Sequence, residues 1–156
     1  MAYEKTHAGY LLSDDPAKIQ VGVVKAYLQR SYWAQKRLES AIDESLKHSL
    51  LIGLYAPTGE QVGFLRMVTD YATFGWLCDV FVLEEHRGQG LSKVALEFVH
   101  AHPRLQTIAR FMLGTKDAHE LYQQFGYTPL LNPERMMERR NPAYFHISTA
   151  DDAPKS

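Results

Sequence analysis

Cys78-Asp79-Val80-Phe81-Val82-Leu83-Glu84-Glu85-His86-Arg87-Gly88-Gln89-Gly90-Leu91-Ser92-Lys93 reads as a strand that runs through a turn with two glycines and an arginine into an amphipathic helix. Apolar residues at Leu91, Val94, Ala95, Phe98 and Val99 predict that helix to about His100. Gly88 and Gly90 allow a ligand close to the backbone without interference from a Cβ. The free N–H groups of the first helical turn favour an anion such as phosphate at that end. A glycine pair alone is equally the mark of an ordinary strand-to-helix turn. Two nucleotide motifs are excluded. Lys93 follows Ser92, so the Gly-Lys-Ser/Thr ending of a nucleoside-triphosphate loop is absent, and Lys93 stands where the dinucleotide fingerprint needs its third glycine.

Arg87-x-x-Gly90-x-Ser92 resembles the pyrophosphate-binding signature Gln/Arg-x-x-Gly-x-Gly/Ala of the GNAT superfamily of CoA-dependent N-acetyltransferases. Val80-Phe81-Val82 resembles that family's fourth strand, whose backbone pairs with the pantetheine arm. Asp117-Ala118-His119-Glu120-Leu121-Tyr122-Gln123-Gln124-Phe125-Gly126-Tyr127 is similar to its later helix, Ala-x-x-Leu-Tyr-x-x-x-Gly-Phe. The similarity runs from about Thr6 to Arg139. Ser92 replaces the usual third small residue, and Asp117 stands where many members have Asn.

The chain has 156 residues, enough for one domain with a sizeable core. That domain is expected over residues 1–140. Residues 141–156 form a loose polar tail in which Tyr144-Phe145-His146-Ile147 could still dock. Cys78 is the one cysteine, which permits no internal disulfide and is consistent with a reducing cytoplasm. Without an apolar run long enough to cross a bilayer, the chain is expected to be soluble and cytoplasmic. A net charge of −1 without a dense Lys/Arg run gives no support to nucleic-acid binding. The seven histidines lack ligand-like spacing, so no metal is expected.

Thr6 to Ser13 reads as a first strand, and Asp14-Asp15-Pro16 as the start of a helix that continues through Val21, Val24 and Leu28 to about Arg30. A second helix is predicted from Trp33 to about His48. Leu50–Ala56 and Gln61–Thr69 form a hairpin around Pro57-Thr58-Gly59-Glu60. Gly75–Leu83 enters the central turn after a connection over Asp70–Phe74. Beyond the central helix come a strand over Thr107–Leu113, a helix over Lys116–Phe125, a strand over Tyr127–Leu131 and a candidate last strand over Arg135–Arg139. Periodicity supports a mixed α/β domain. The resemblance implies the GNAT fold, an α/β (α+β) arrangement with a mixed, mostly antiparallel sheet flanked by helices.

The resemblance further implies transfer of the acetyl group of acetyl-CoA, as co-substrate, to a primary amine. The cofactor would contact Arg87, Gly88, Gln89, Gly90, Leu91 and Ser92 at its pyrophosphate, and Phe81, Val82, Leu83, Asp117 and Tyr122 along its arm. A backbone N–H near Phe81 or Val82 would stabilise the oxyanion, and Tyr122 would protonate the leaving thiolate. A tyrosine on a helix with apolar neighbours is also an ordinary core residue. Asp79 and Asp70 are the candidate bases, each with an alternative reading as a hydrogen-bonded strand or turn residue. Trp33, Arg37 and Arg66, with Tyr27 and Tyr32, suit an amino-acid-like acceptor bearing a carboxylate. They would equally form the edge of two packed helices. The expected partner is a small-molecule amine, with no nucleic acid or membrane; a homodimer is admitted. Peptide or protein amines as acceptor, and a non-catalytic CoA-binding regulatory module, remain alternatives.

Overall fold

The computed structural model describes residues 1–144. The predicted docking of Phe145, His146 and Ile147 lies outside the described residues. Along the described chain come strands β1 (Glu4–His7) and β2 (Tyr10–Ser13), helices α1 (Val21–Arg30) and α2 (Glu39–Lys47), and strands β3 (Leu50–Tyr55), β4 (Gln61–Thr69) and β5 (Phe74–Val82). Helix α3 (Leu91–His100), strand β6 (Arg110–Leu113) and helix α4 (His119–Gln123) follow.

The strands form one sheet in sequence order. Neighbours from β1 to β5 are antiparallel, and β6 joins parallel to β5 after the crossover through α3. This is the mixed, mostly antiparallel sheet that the resemblance implied. Alternation along β3 shows how the layers form. Leu50, Ile52 and Leu54 enter one core and Leu51 the other, because successive strand side chains point to opposite faces. The first core is closed by α3, which buries Leu91, Val94, Ala95, Leu96, Phe98 and Val99. The second is closed by α1 and α2 through Val24, Leu28 and Ile42. Each such fully buried leucine or phenylalanine contributes about 1.5–3 kcal/mol.

Several predicted boundaries differ. The predicted strand Thr6–Ser13 is instead part of a hairpin, because Ala8 and Gly9 turn the chain with φ of 48° and 85°. Asp15 does cap a turn, accepting from the Ala17 N–H at 2.9 Å, but that turn is a separate 3-10 piece, Pro16–Lys18, ended by the extended Ile19. Helix α2 begins at Glu39 rather than Trp33. The Ser31 hydroxyl donates to the Leu28 carbonyl and accepts from the Ala34 N–H, holding the chain in a turn there. Helix α4 is shorter than the predicted Lys116–Phe125: the Thr115 hydroxyl accepts from Ala118 N–H before it, and Gly126, with φ of 86°, follows it. Among the described residues neither Tyr127–Leu131 nor Arg135–Arg139 forms a strand. Pro129 removes a ladder donor from the first, and Pro133–Arg135 coils into a 3-10 turn that takes up the first residue of the second.

Candidate active site

Strands β5 and β6 pair only from Phe74 opposite Arg110 to Leu77 opposite Leu113, while β5 continues five residues further, Cys78 to Val82. Over that stretch the β6 side of β5 is an open edge. The strand is also bulged there: Cys78 lies opposite Arg66 and Phe81 opposite Phe64. Asp79, in the bulge, has φ of 51°, a left-handed conformation that Asp tolerates better than most residues. Leu83 donates its N–H to the Val62 carbonyl at 2.8 Å and accepts from the His86 N–H at 2.9 Å. Both of its main-chain groups are thus engaged within the protein, unlike the role implied for it from sequence. One residue earlier, alternation turns the N–H and C=O of Val82 to the open edge.

The open edge leads into the glycine turn. Gly88 and Gly90 have φ of 80° and 73°, and a Cβ on either would meet nothing within 4 Å. Glycine is therefore required by backbone conformation, with open space above the turn. Gly90 caps α3, whose first helical bond runs from Val94 N–H to the Gly90 carbonyl. The N–H groups of Leu91, Ser92 and Lys93 precede it and have no intrahelical acceptor. Arg87 reaches back along the open edge: its Nε donates to the Val82 carbonyl at 2.9 Å and its Nη2 to the Tyr27 hydroxyl at 2.8 Å. Gln89 folds onto the His86 carbonyl and the Tyr10 hydroxyl, and Tyr10 in turn lies 2.8 Å from His86 Nδ1. Sequence reading missed this Tyr10–His86 brace, since the two residues are 76 positions apart and neither carries a motif.

Tyr122 lies on α4. It is buried, packs edge-on to Tyr127 at 5.9 Å, and its hydroxyl has no hydrogen bond among the described residues. Burial, reinforced by Tyr32 and Asp117, pushes its pKa up to about 12, so the phenol is protonated at neutral pH. A cavity of about 350 Å³ opens beside it, bordered by Leu113, Gly114 and Thr115, where β6 has parted from β5. Asp117 and His119 are exposed at the start of α4.

On the α1/α2 face the structure gathers four of the sequence-predicted residues into one cluster. The Asp79 carboxylate accepts from Trp33 Nε1 at 3.0 Å, Arg37 Nη1 at 2.8 Å and Arg66 Nε at 2.8 Å. Arg66 also donates to the Ser49 hydroxyl at 3.1 Å. Burial pushes the Asp79 pKa up, but the two guanidiniums outweigh it and hold the carboxyl below the usual range. Two cations around one carboxylate leave the cluster a net positive charge. Tyr27 stacks on Phe81 beside it, with ring centroids 4.0 Å apart and planes 6° apart. Asp70 lies apart, exposed in the β4–β5 connection, where the Thr73 hydroxyl and the N–H groups of Thr73, Ala72 and Phe74 hold its pKa low. Neither candidate base is thus a carboxylate raised toward neutrality. Among the described residues there is no cluster of three His, Cys, Asp or Glu able to hold a metal, and no helix long and apolar enough to cross a membrane.

Residues 47–129 match the family model described as "Acetyltransferase (GNAT) domain". A Gibberella zeae protein named "Putative acetyltransferase FG08082" is 35% identical over 137 residues, covering 75% of this chain and 77% of that protein. A crystal structure from Xanthomonas campestris pv. campestris, named in the same terms and assigned to the GNAT family, is 42% identical. It superposes with a TM-score of 0.82 over 88% of this chain and 95% of that one. A Mycobacterium tuberculosis protein solved in complex with CoA shares the fold at 18% identity, with a TM-score of 0.56 over 72% of this chain and 70% of its own.

Proposed function

The chain belongs to the GNAT acetyltransferase family, and on that premise we propose that it transfers the acetyl group of acetyl-CoA to the primary amine of a small molecule that also carries a carboxylate. Three features support this reading: the open edge of β5, the glycine turn that follows it with its free helix N–H groups, and, on α4, the buried and protonated hydroxyl of Tyr122. A pyrophosphate would lie against the amides from Gly88 to Ser92, and the pantetheine amides along the Val82 edge. Arg87 must release the Val82 carbonyl for that pairing, which would free its guanidinium for a phosphate oxygen.

Acyl transfer then needs a neutral amine, an oxyanion donor and an acid. The amine nitrogen bonds to the thioester carbonyl carbon while the Val82 N–H faces the oxygen that gains charge. The carbon–sulfur bond breaks, and the Tyr122 hydroxyl gives its proton to the sulfur. The amine's own proton leaves through water. Asp79, saturated with donors and held ionised, serves instead to fix Arg37 and Trp33, and the cluster's surplus positive charge favours an acceptor with a carboxylate. Tyr27 and Phe81 supply an apolar wall beside it.

The test joins calorimetric titration with CoA to thiol release against a panel of amines. We expect CoA to bind, and amino-acid-like amines to turn over faster than the matching amines without a carboxylate. Absence of CoA binding at millimolar concentration would refute the site. Binding without turnover on any amine would refute the enzyme and leave a CoA-binding module.

A further inference from the structure

We propose that the chain carries a second ligand site, separate from the acyl-CoA site, that takes a small organic carboxylate with an apolar body, such as a medium-chain aliphatic acid. Its place is a cavity of about 540 Å³ along the outer edge of β6. Residues 109 to 112 all line it, which an edge allows and a single strand face does not, since successive side chains alternate between faces. Among the described residues β6 is the last strand of the sheet, so alternate main-chain N–H groups face the cavity without a ladder partner. The chain from Phe125 to Asn132, with Arg135 and Met136, forms the other side. Neither Val82, the glycine turn, Tyr122 nor the Asp79 cluster borders it, and Arg110 pairs with Phe74, at the far end of β5 from the open edge.

The lining joins positive charge to apolar surface. Arg110 and Arg135 are exposed at the rim, and no Asp or Glu lines the cavity. Arg110 Nη2 lies 4.0 Å from the Met136 sulfur, which sets it beside the turn that carries Arg135. Among the described residues neither arginine has a carboxylate partner, and nearby Glu138 is engaged by Arg140 at 3.1 Å. Behind the guanidiniums, Phe111, Met112, Phe125, Leu130 and Met136 supply hydrocarbon and rings. His100 Nε2 is bonded to the Tyr127 hydroxyl at 3.0 Å and burial lowers its pKa, so the charge offered at neutral pH is that of the two arginines. A carboxylate would meet both guanidiniums while its chain covered the apolar wall. A protonated amine would be repelled by both, which sets this cavity apart from the place of the acyl acceptor. The volume lies within the range of about 300–1,000 Å³ ordinary for small-molecule sites.

The test titrates sodium octanoate into the full chain, with butanoate and octan-1-ol as controls, by calorimetry and by amide NMR. Octanoate should shift the amides of residues 109–112 and 130–132 and leave those of 88–92 unmoved. Each buried methylene gives about a fourfold gain, so octanoate should bind about tenfold or more tighter than butanoate. Octan-1-ol keeps the chain without the charge and should bind about fivefold or more weaker than octanoate, a difference that the double variant Arg110→Gln/Arg135→Gln should erase. Both positions are exposed, so the variant should fold, which circular dichroism checks, and the comparison of ligands on the native chain stands independently of it. No octanoate binding at millimolar concentration, octan-1-ol binding as tightly as octanoate, or shifts centred on residues 88–92 or on Asp79 would each overturn the inference. Undiminished octanoate affinity in the double variant would do the same. None of these results bears on acyl transfer, which rests on other residues.

Discussion

Asp79→Asn tests the assignment of the buried carboxylate as an anchor rather than a base. Asn keeps the shape and tolerates the left-handed φ of 51°, so the backbone is spared and the change isolates charge and hydrogen bonding. The Asp79 side chain is 1% exposed, and those of Arg66 and Arg37 are 12% and 27% exposed. Whichever way the amide points, its NH2 meets a donor, either the indole N–H or the two guanidiniums. Breaking a buried pair by removing one partner costs about 3–5 kcal/mol, and the partial exposure of Arg37 favours the lower end, about 3 kcal/mol. With a urea slope of about 2 kcal/mol/M, the unfolding midpoint should fall by about 1.5 M. The pH dependence gives the sharper reading. Because the native pKa lies below the unfolded value of about 3.9, the carboxylate's contribution is complete above that value and is lost as pH falls through the native one. The gap between native chain and variant should therefore be constant from about pH 8 to 5 and narrow only below about 4. A loss under about 1 kcal/mol would refute the anchor. A gap that instead widened in the native chain's favour as pH fell from about 7 to 5 would mean a raised carboxyl and return Asp79 to the role of base.

Tyr122→Phe should lower kcat by about a hundredfold with little change in CoA affinity. Because the hydroxyl has no partner among the described residues, thermal stability should barely change. With the phenol pushed up to about 12, kcat should show no alkaline decline owed to Tyr122 below about pH 11, and a limb near pH 9 abolished by the substitution would contradict the assignment. Gly90→Val places a branched side chain at φ of 73°, costing about 1–2 kcal/mol, and projects it into the open space above the turn. The rise in melting temperature with CoA should disappear while circular dichroism shows the helices retained; undiminished CoA affinity would remove the turn from the site.

The elements bearing strong periodicity or turn chemistry were legible in the sequence. Helix α3, with its six buried apolar residues, and the β3–β4 hairpin around Gly59, φ 88°, stand where residue spacing and the Thr-Gly turn put them. The first hairpin was hidden because Ala8 gives no turn signal, and its left-handed φ is imposed by pairing of Glu4–His7 with Tyr10–Ser13. The predicted second helix began at Trp33, yet Ser31 holds a turn there and the indole is bound to Asp79, so the helix starts only at Glu39.

The glycine turn was readable from sequence because it rests on local properties, φ that only glycine adopts freely and free N–H groups at a helix start, whereas Tyr122 was singled out only by the resemblance of its helix to the family's. The Asp79 cluster was decided by tertiary structure alone. Trp33, Arg37 and Arg66 lie 46, 42 and 13 residues from Asp79, and no local pattern encodes such an encounter. A carboxylate in isolation is a base or an anchor with equal justice. Which one it becomes depends on whether the fold buries it alone, raising its pKa, or beside two guanidiniums, lowering it, and that is set by which strands and loops the sheet brings together.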